Sequence, residues 1–151
     1  MRYEEANENF TEVFLNVLED RFPGLAYLKY KLVFDSKKKV SKGRFVLADI
    51  AIASEKLKFF TKDKIAVDGY DYILTINRKA WDLASDIDKE RIISHEMRHV
   101  FVDEKGNPKT IGHEIEDFYE EIKKNQDDPE WNRKLGQMVR DAYEQEKEAK
   151  E

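Results

Sequence analysis

Residues 86–104 read DIDKERIISHEMRHVFVDE, and the middle of that stretch decides how the chain is read. Ser85 or Asp86 suits a helix N-cap, and Asp88 and Glu90 suit the positive end of the first turn. The pattern predicts a helix running to about Asp103 or Glu104. On a helix, His99 lies about 40° around the axis from His95, and Glu96 about 100°. Two imidazoles one turn apart can reach one ion, with the glutamate beside it, placed to take a proton from an attacking water. Ile93, Met97, Val100 and Phe101 fall on the opposite side and predict a core stripe that presses this helix onto a sheet.

A catalytic zinc usually takes three protein ligands and keeps one position open. The chain holds three histidines in all, and the third, His113, opens the segment GHEIEDFYEE. Gly106, Pro108 and Gly112 lie between His99 and His113 and allow the chain to fold back. His113 is therefore the first choice for third ligand, with Glu116 or Asp117 as the carboxylate alternative. Ligand histidines usually give their second N–H to an acceptor. Asp103, four residues beyond His99, is the expected outer partner of that ring, and Asp117 could serve His113.

Working outward, the chain reads as helices around a small sheet. Phe10, Val13, Phe14, Val17 and Leu18 form one apolar stripe and predict a helix over 3–20. Residues 25–34, 44–54 and 72–77 read as three strands, in an antiparallel or mixed sheet. SKKKVSKG (36–43) reads as a charged hairpin loop, 55–61 as a short helix and 78–85 as a helical turn or two. KGNPKTIG (105–112) is a breaker-rich loop, and a helix is expected over 113–125. Asp128 and Pro129 then suit an N-cap and first helical position. Beyond them Trp131, Leu135, Met138, Val139 and Ala142 share a stripe, on a C-terminal helix with a frayed end. No repeat or linker divides the chain, so 1–151 reads as one α+β domain.

The bulk numbers agree with this reading. The 151 residues are 40% hydrophobic and 39% charged, with nine Phe, seven Tyr and two Trp, which argues for a compact core under a charged surface. With no cysteine, disulfides and thiolate metal sites are excluded, and a reducing cytoplasm is the expected compartment. MRYEEANENF carries no apolar signal-peptide core, and no run of apolar residues is long enough to span a membrane, so neither secretion nor a membrane is expected. A net charge of −5 makes nucleic acid an unlikely partner. Lys37, Lys38, Lys39, Lys42 and Arg44 form the one basic cluster and read as a solvated hairpin tip.

HEMRHV followed by a short loop and GHEIEDFYEE resembles the family known as putative phage metallopeptidases, a small zincin-like group from bacteriophage and bacterial genomes. KGRFVLADIAIASEKLKFF and YDYILTINRKAWDLASDIDKERIIS are similar to that family's sheet and its approach to the metal helix. The resemblance covers residues 10–125 or so and leaves the acidic final helix unmatched. It implies a zincin-type fold, Zn²⁺ bound by His95, His99 and His113, Glu96 as general base, and a peptide or protein substrate.

The activity expected is metal-assisted peptide hydrolysis. A zinc hydrolase acting on a non-peptide amide, and a catalytically silent zinc-binding or interaction domain, are the alternatives. The oxyanion needs a donor, and Arg98, Tyr70, Tyr72 and Tyr119 are the possible sources. RFVLADIAIAS (44–54) is the strand expected to pair with an extended substrate.

Overall fold

The computed structural model describes residues 1–41, 43–111 and 130–150. Its centre is a four-stranded mixed sheet, ordered β1 (Tyr3–Glu5), β2 (Tyr30–Asp35), β6 (Tyr72–Asn77), β5 (Ala48–Ile52). β1 pairs antiparallel with β2, β2 parallel with β6, and β6 antiparallel with β5. β5 is thus an edge strand. The two strands at the centre are in register from Tyr30↔Tyr72 to Asp35↔Asn77. Between β2 and β5, β3 (Val40–Ser41) and β4 (Arg44–Phe45) make a separate small hairpin.

β6 bounds the sequence reading correctly because its pattern is plain: Tyr72, Leu74 and Ile76 alternate and are each fully buried. Helix α1 (Glu8–Arg21) lays Phe10, Phe14, Val17 and Leu18 into the same core. The predicted helix start at residue 3 is corrected. Asn7 caps the helix by accepting from the Phe10 amide at 2.9 Å, and residues 3–5 are a strand instead. Arg2 explains that switch, because its guanidinium grips Asp35 of β2 through two bonds of 2.9 and 3.0 Å and lays the N-terminus along the sheet. The strand predicted from residue 25 begins only at Tyr30, since Pro23–Leu25 form a 3-10 turn.

Two short helices connect the sheet to the next elements. α2 (Glu55–Phe60) is capped by Ser54, whose hydroxyl accepts from the Leu57 amide at 3.2 Å. Gly69, at φ +88°, lets the chain return past α2: a Cβ there would sit 1.9 Å from the Lys58 carbonyl oxygen. α3 (Arg78–Leu83) brings Trp81 onto Phe10 and Phe34, with ring centroids 5.0 and 6.2 Å away. α4 (Asp86–Met97) packs beside α1 and adds Ile92, Ile93 and Met97 to the core.

The final helix, α5 (Trp131–Lys150), buries Trp131, Leu135 and Val139 at four-residue spacing, and Tyr143 continues that stripe. Met138, expected in the stripe, is exposed. The helix stays regular to Lys150, although residues 144–149 are exposed. The helix expected over 113–125, with the cap at Asp128 and Pro129, lies outside the described residues.

Asn77 joins these parts. Its carbonyl oxygen caps α3 by accepting from the Ala80 amide at 2.9 Å. Its amide donates to the Lys37 carbonyl at 3.2 Å and to the Tyr143 hydroxyl of α5 at 2.8 Å. Asn77 is buried, so an alanine here removes a cap and strands two acceptors. Asn77→Ala is expected to lower the unfolding free energy by about 2–4 kcal/mol. Asn7→Ala, an exposed cap alone, should cost about 1 kcal/mol. Urea titration of both variants checks the difference.

Candidate metal centre

Helix α4 starts as its sequence dictates. The Ser85 hydroxyl accepts from the Asp88 amide at 3.2 Å, and Asp88 pairs with Arg91 at 3.0 Å. Ile92, Ile93 and Met97 hold one side of the helix in the core. With that side fixed, His95 and Glu96 are fixed as well.

The end of the helix corrects the sequence reading. The α-helix stops at Met97, well short of Asp103. The Arg98 amide is shared between the Ser94 and His95 carbonyls at 3.2 Å each, and the His99 amide bonds Glu96 at 3.0 Å. This is a tightened turn of the 3-10 kind, which still carries His99 one turn beyond His95. The chain then enters strand β7 (Val100–Val102), paired antiparallel with β8 (Pro108–Thr110). The physical reason lies in the residues. Val100, Phe101 and Val102 favour a strand, and DEKGN supplies a turn in which Gly106 takes φ +81°. Val100 is buried as the predicted core stripe required, but from a strand, whereas Phe101 is exposed.

Despite this change the three side chains converge. The ligand atoms of His95, Glu96 and His99 all lie within 4.8 Å of one another. The two imidazole centroids are 5.7 Å apart and their planes stand at 76°. Ligand atoms this close can serve one ion, which imidazole nitrogens in zinc sites hold at about 2.0–2.1 Å. Among the described residues the Glu96 carboxyl has no hydrogen-bond partner, although the residue is only 9% exposed. A buried carboxyl lacking a partner, flanked by two imidazoles, suits a cation and a polarised water. The donor set therefore fits a divalent metal such as zinc.

The electrostatics follow from burial. Desolvation pushes the Glu96 carboxyl up to about 8, and the Asp49 carboxylate of β5 adds to the shift through its charge. Asp49 is itself paired with Lys39 at 3.1 Å. A metal ion beside Glu96 would act in the opposite sense.

The structure places the outer partners differently from the sequence reading. His99 Nδ1 lies 2.6 Å from the Ile111 carbonyl oxygen. A carbonyl only accepts, so Nδ1 carries the proton and the ring's lone pair lies on Nε2. Asp103 sits instead in the β7–β8 turn, accepting from the Lys105 and Asn107 amides at 2.9 and 2.8 Å. His113, Glu116, Asp117 and Tyr119 lie outside the described residues. Tyr70 and Tyr72, expected among the possible oxyanion donors, already direct their hydroxyls elsewhere. Tyr70 donates to Asp63 at 2.6 Å, and fully buried Tyr72 faces the Lys109 and Phe101 carbonyls at 2.8 and 3.1 Å. The Arg98 guanidinium lies over the Phe22 ring, 4.8 Å from its centroid. Asp49 and Ile111 are the site neighbours that sequence reasoning missed. A lone acid inside the apolar run VLADIAIA was a usable signal for the first, but a backbone carbonyl has none.

A family model described as "Putative phage metallopeptidase" matches residues 1–143. No curated protein and no solved structure matches the chain.

The raised proton affinity of Glu96 has a measurable cost in the metal-free protein. Below its ordinary value of 4.5 the carboxyl is neutral in both the folded and unfolded chains. Between there and about 8 only the folded form keeps the proton, so stability falls as pH rises. Glu96→Gln removes this dependence. The variant should match the wild type near pH 4 and exceed it at pH 9 by on the order of 4 kcal/mol. Urea titrations in the presence of chelator at the two pH values check it.

Proposed function

Since the chain belongs to the putative phage metallopeptidase family, we propose that it is a zinc-dependent peptidase in which His95 and His99 hold the metal and Glu96 is the general base. The observation that carries this reading is the convergence of His95, Glu96 and His99 at the end of one helix. His113 is the proposed third ligand, with Glu116 or Asp117 in its place if that histidine does not serve. Three protein ligands would leave a coordination position open, as a catalytic site requires.

Zinc in such a site supplies Lewis-acid polarisation of the scissile carbonyl and lowers the pKa of water toward 7. The remaining work falls to the chain. Glu96 takes the proton of the attacking water and returns it to the leaving amine. Its buried position, which raises its proton affinity, suits a group that must both accept and release a proton. The Ile111 carbonyl keeps the proton of His99 on Nδ1 and so fixes the ring for binding. Asp103, the outer partner first expected, is proposed to stabilise only the turn. Arg98 and Tyr119 remain the side chains proposed to face the oxyanion. β5 is paired on one side by β6 and lies against α4. An extended peptide could add to its other edge, which would bring a scissile bond toward the metal.

Among the described residues no helix is long and apolar enough to cross a membrane. With no cysteine to oxidise, the chain suits the cytoplasm, where we place its activity.

Elemental analysis tests the ligand set. Wild type should carry one zinc, and His95→Ala and His99→Ala should carry none. Loss in His113→Ala supports that residue, whereas retention moves the role to Glu116 or Asp117. Glu96→Gln should keep the zinc and lose about 10²–10⁴-fold in hydrolysis of a fluorogenic casein substrate. Full activity in that variant would remove the proposed base.

A further inference from the structure

His99 is at once the last residue of the metal turn and the first of the β7–β8 hairpin. Its amide bonds back to Glu96, while its carbonyl accepts from the Ile111 amide at 2.8 Å. Its ring faces the Ile111 carbonyl. His99 and Ile111 thus extend the hairpin by one rung beyond Val100↔Thr110. The position of this imidazole is therefore no better defined than the hairpin itself.

The hairpin has three residues in each strand, and a two-stranded unit of that size is marginal by itself. Its attachment decides where it sits. The Tyr72 hydroxyl meets Phe101 and Lys109, which face each other across the ladder. That rung lies two residues, about 7 Å along a strand, from His99 and Ile111. The Tyr72 ring cannot swing away. It is fully buried in the central strand and stacked on Tyr30, with centroids 5.6 Å apart and planes at 16°.

We propose that Tyr72 is a positioning residue for the metal site, its hydroxyl clasping the β7–β8 hairpin so that the Ile111 carbonyl holds the His99 imidazole in its binding orientation. This assignment rests on the metal reading of His95 and His99. It gives a role to a tyrosine whose buried hydroxyl does no chemistry, and it links the sheet to the ligand through the hairpin's backbone carbonyls.

The test uses the full chain with Tyr72→Phe, which deletes the hydroxyl and keeps the ring. Tyr30→Phe is the control. It removes the hydroxyl of the stacked partner, which bonds the Leu25 carbonyl at 2.9 Å and does not touch the hairpin. Two quantities are read. One is Zn²⁺ affinity, by competition with a chromophoric chelator. The other is the His99 Nδ1–H resonance of the metal-free protein and its exchange with water. In Tyr72→Phe the affinity should fall about tenfold, as for loss of an outer partner of a ligand histidine, and the Nδ1–H should exchange faster. Tyr30→Phe should leave both as in wild type. Wild-type affinity and a wild-type Nδ1–H signal in folded Tyr72→Phe overturn the proposal. If Tyr72→Phe does not fold, Gly106→Ala is the substitute, since it strains the exposed hairpin turn at φ +81° and leaves the core alone. Weaker zinc binding and faster Nδ1–H exchange then support the clasp, and unchanged values refute it. The resonance is read without metal, so it judges the clasp even if wild type takes up no zinc, a result that would sink the metal reading instead.

Discussion

The double contact between His99 and Ile111 is the joint on which the site depends. One bond runs from the Ile111 amide to the His99 carbonyl, and the other from the imidazole to the Ile111 carbonyl. Together they fix the backbone and the ring of the same residue. Helix α4 alone could not do this, because it ends at Met97 and leaves His99 on a single tight turn. The helix supplies His95 and Glu96 with the core behind them, and the hairpin supplies the second imidazole. Two elements of different kinds must therefore meet with little error before a third ligand becomes relevant.

Glu96 shows why the surroundings of the motif matter as much as its letters. The same residue on an exposed helix would be an ordinary ionised acid. Here burial favours its neutral form, and Asp49 across on β5 pushes in the same direction. Lys39, paired with Asp49, ties that second acid to the β2–β3 connection. The polar side of the helix therefore meets an edge strand carrying its own charge pair, while Ile92, Ile93 and Met97 hold the opposite side dry.

Much of this was legible in the residues. β6 could be bounded correctly because three fully buried side chains alternate over six residues. The motif histidines, their intervening glutamate and the Ser85 cap could be read from spacing and chemistry. Four features resisted. Residues 3–5 are too few and too polar to signal a strand, and their pairing comes from Arg2 reaching Asp35 thirty-three positions away. Val100 and Phe101 fit helical spacing from Ile93 and Met97 as well as they fit a strand, so periodicity could not separate the two. Tyr70 and Tyr72 looked like available donors because a sequence does not say which hydroxyls are already engaged. Asp103 looked like a partner for His99 by helical spacing, and that spacing vanished with the helix.

The core of this fold is assembled from α1, the sheet, α3, α4 and α5 with Val100 of β7, and its buried side chains are largely apolar. It does not include the imidazoles. Small domains such as zinc fingers have no such interior and are unfolded until the ion arrives. Here the central strand pairs with β2, some forty residues earlier in the chain, a non-local contact made without any cation. An ion held at the proposed site would then load last, onto a finished scaffold, and would come away with a chelator without unfolding the chain.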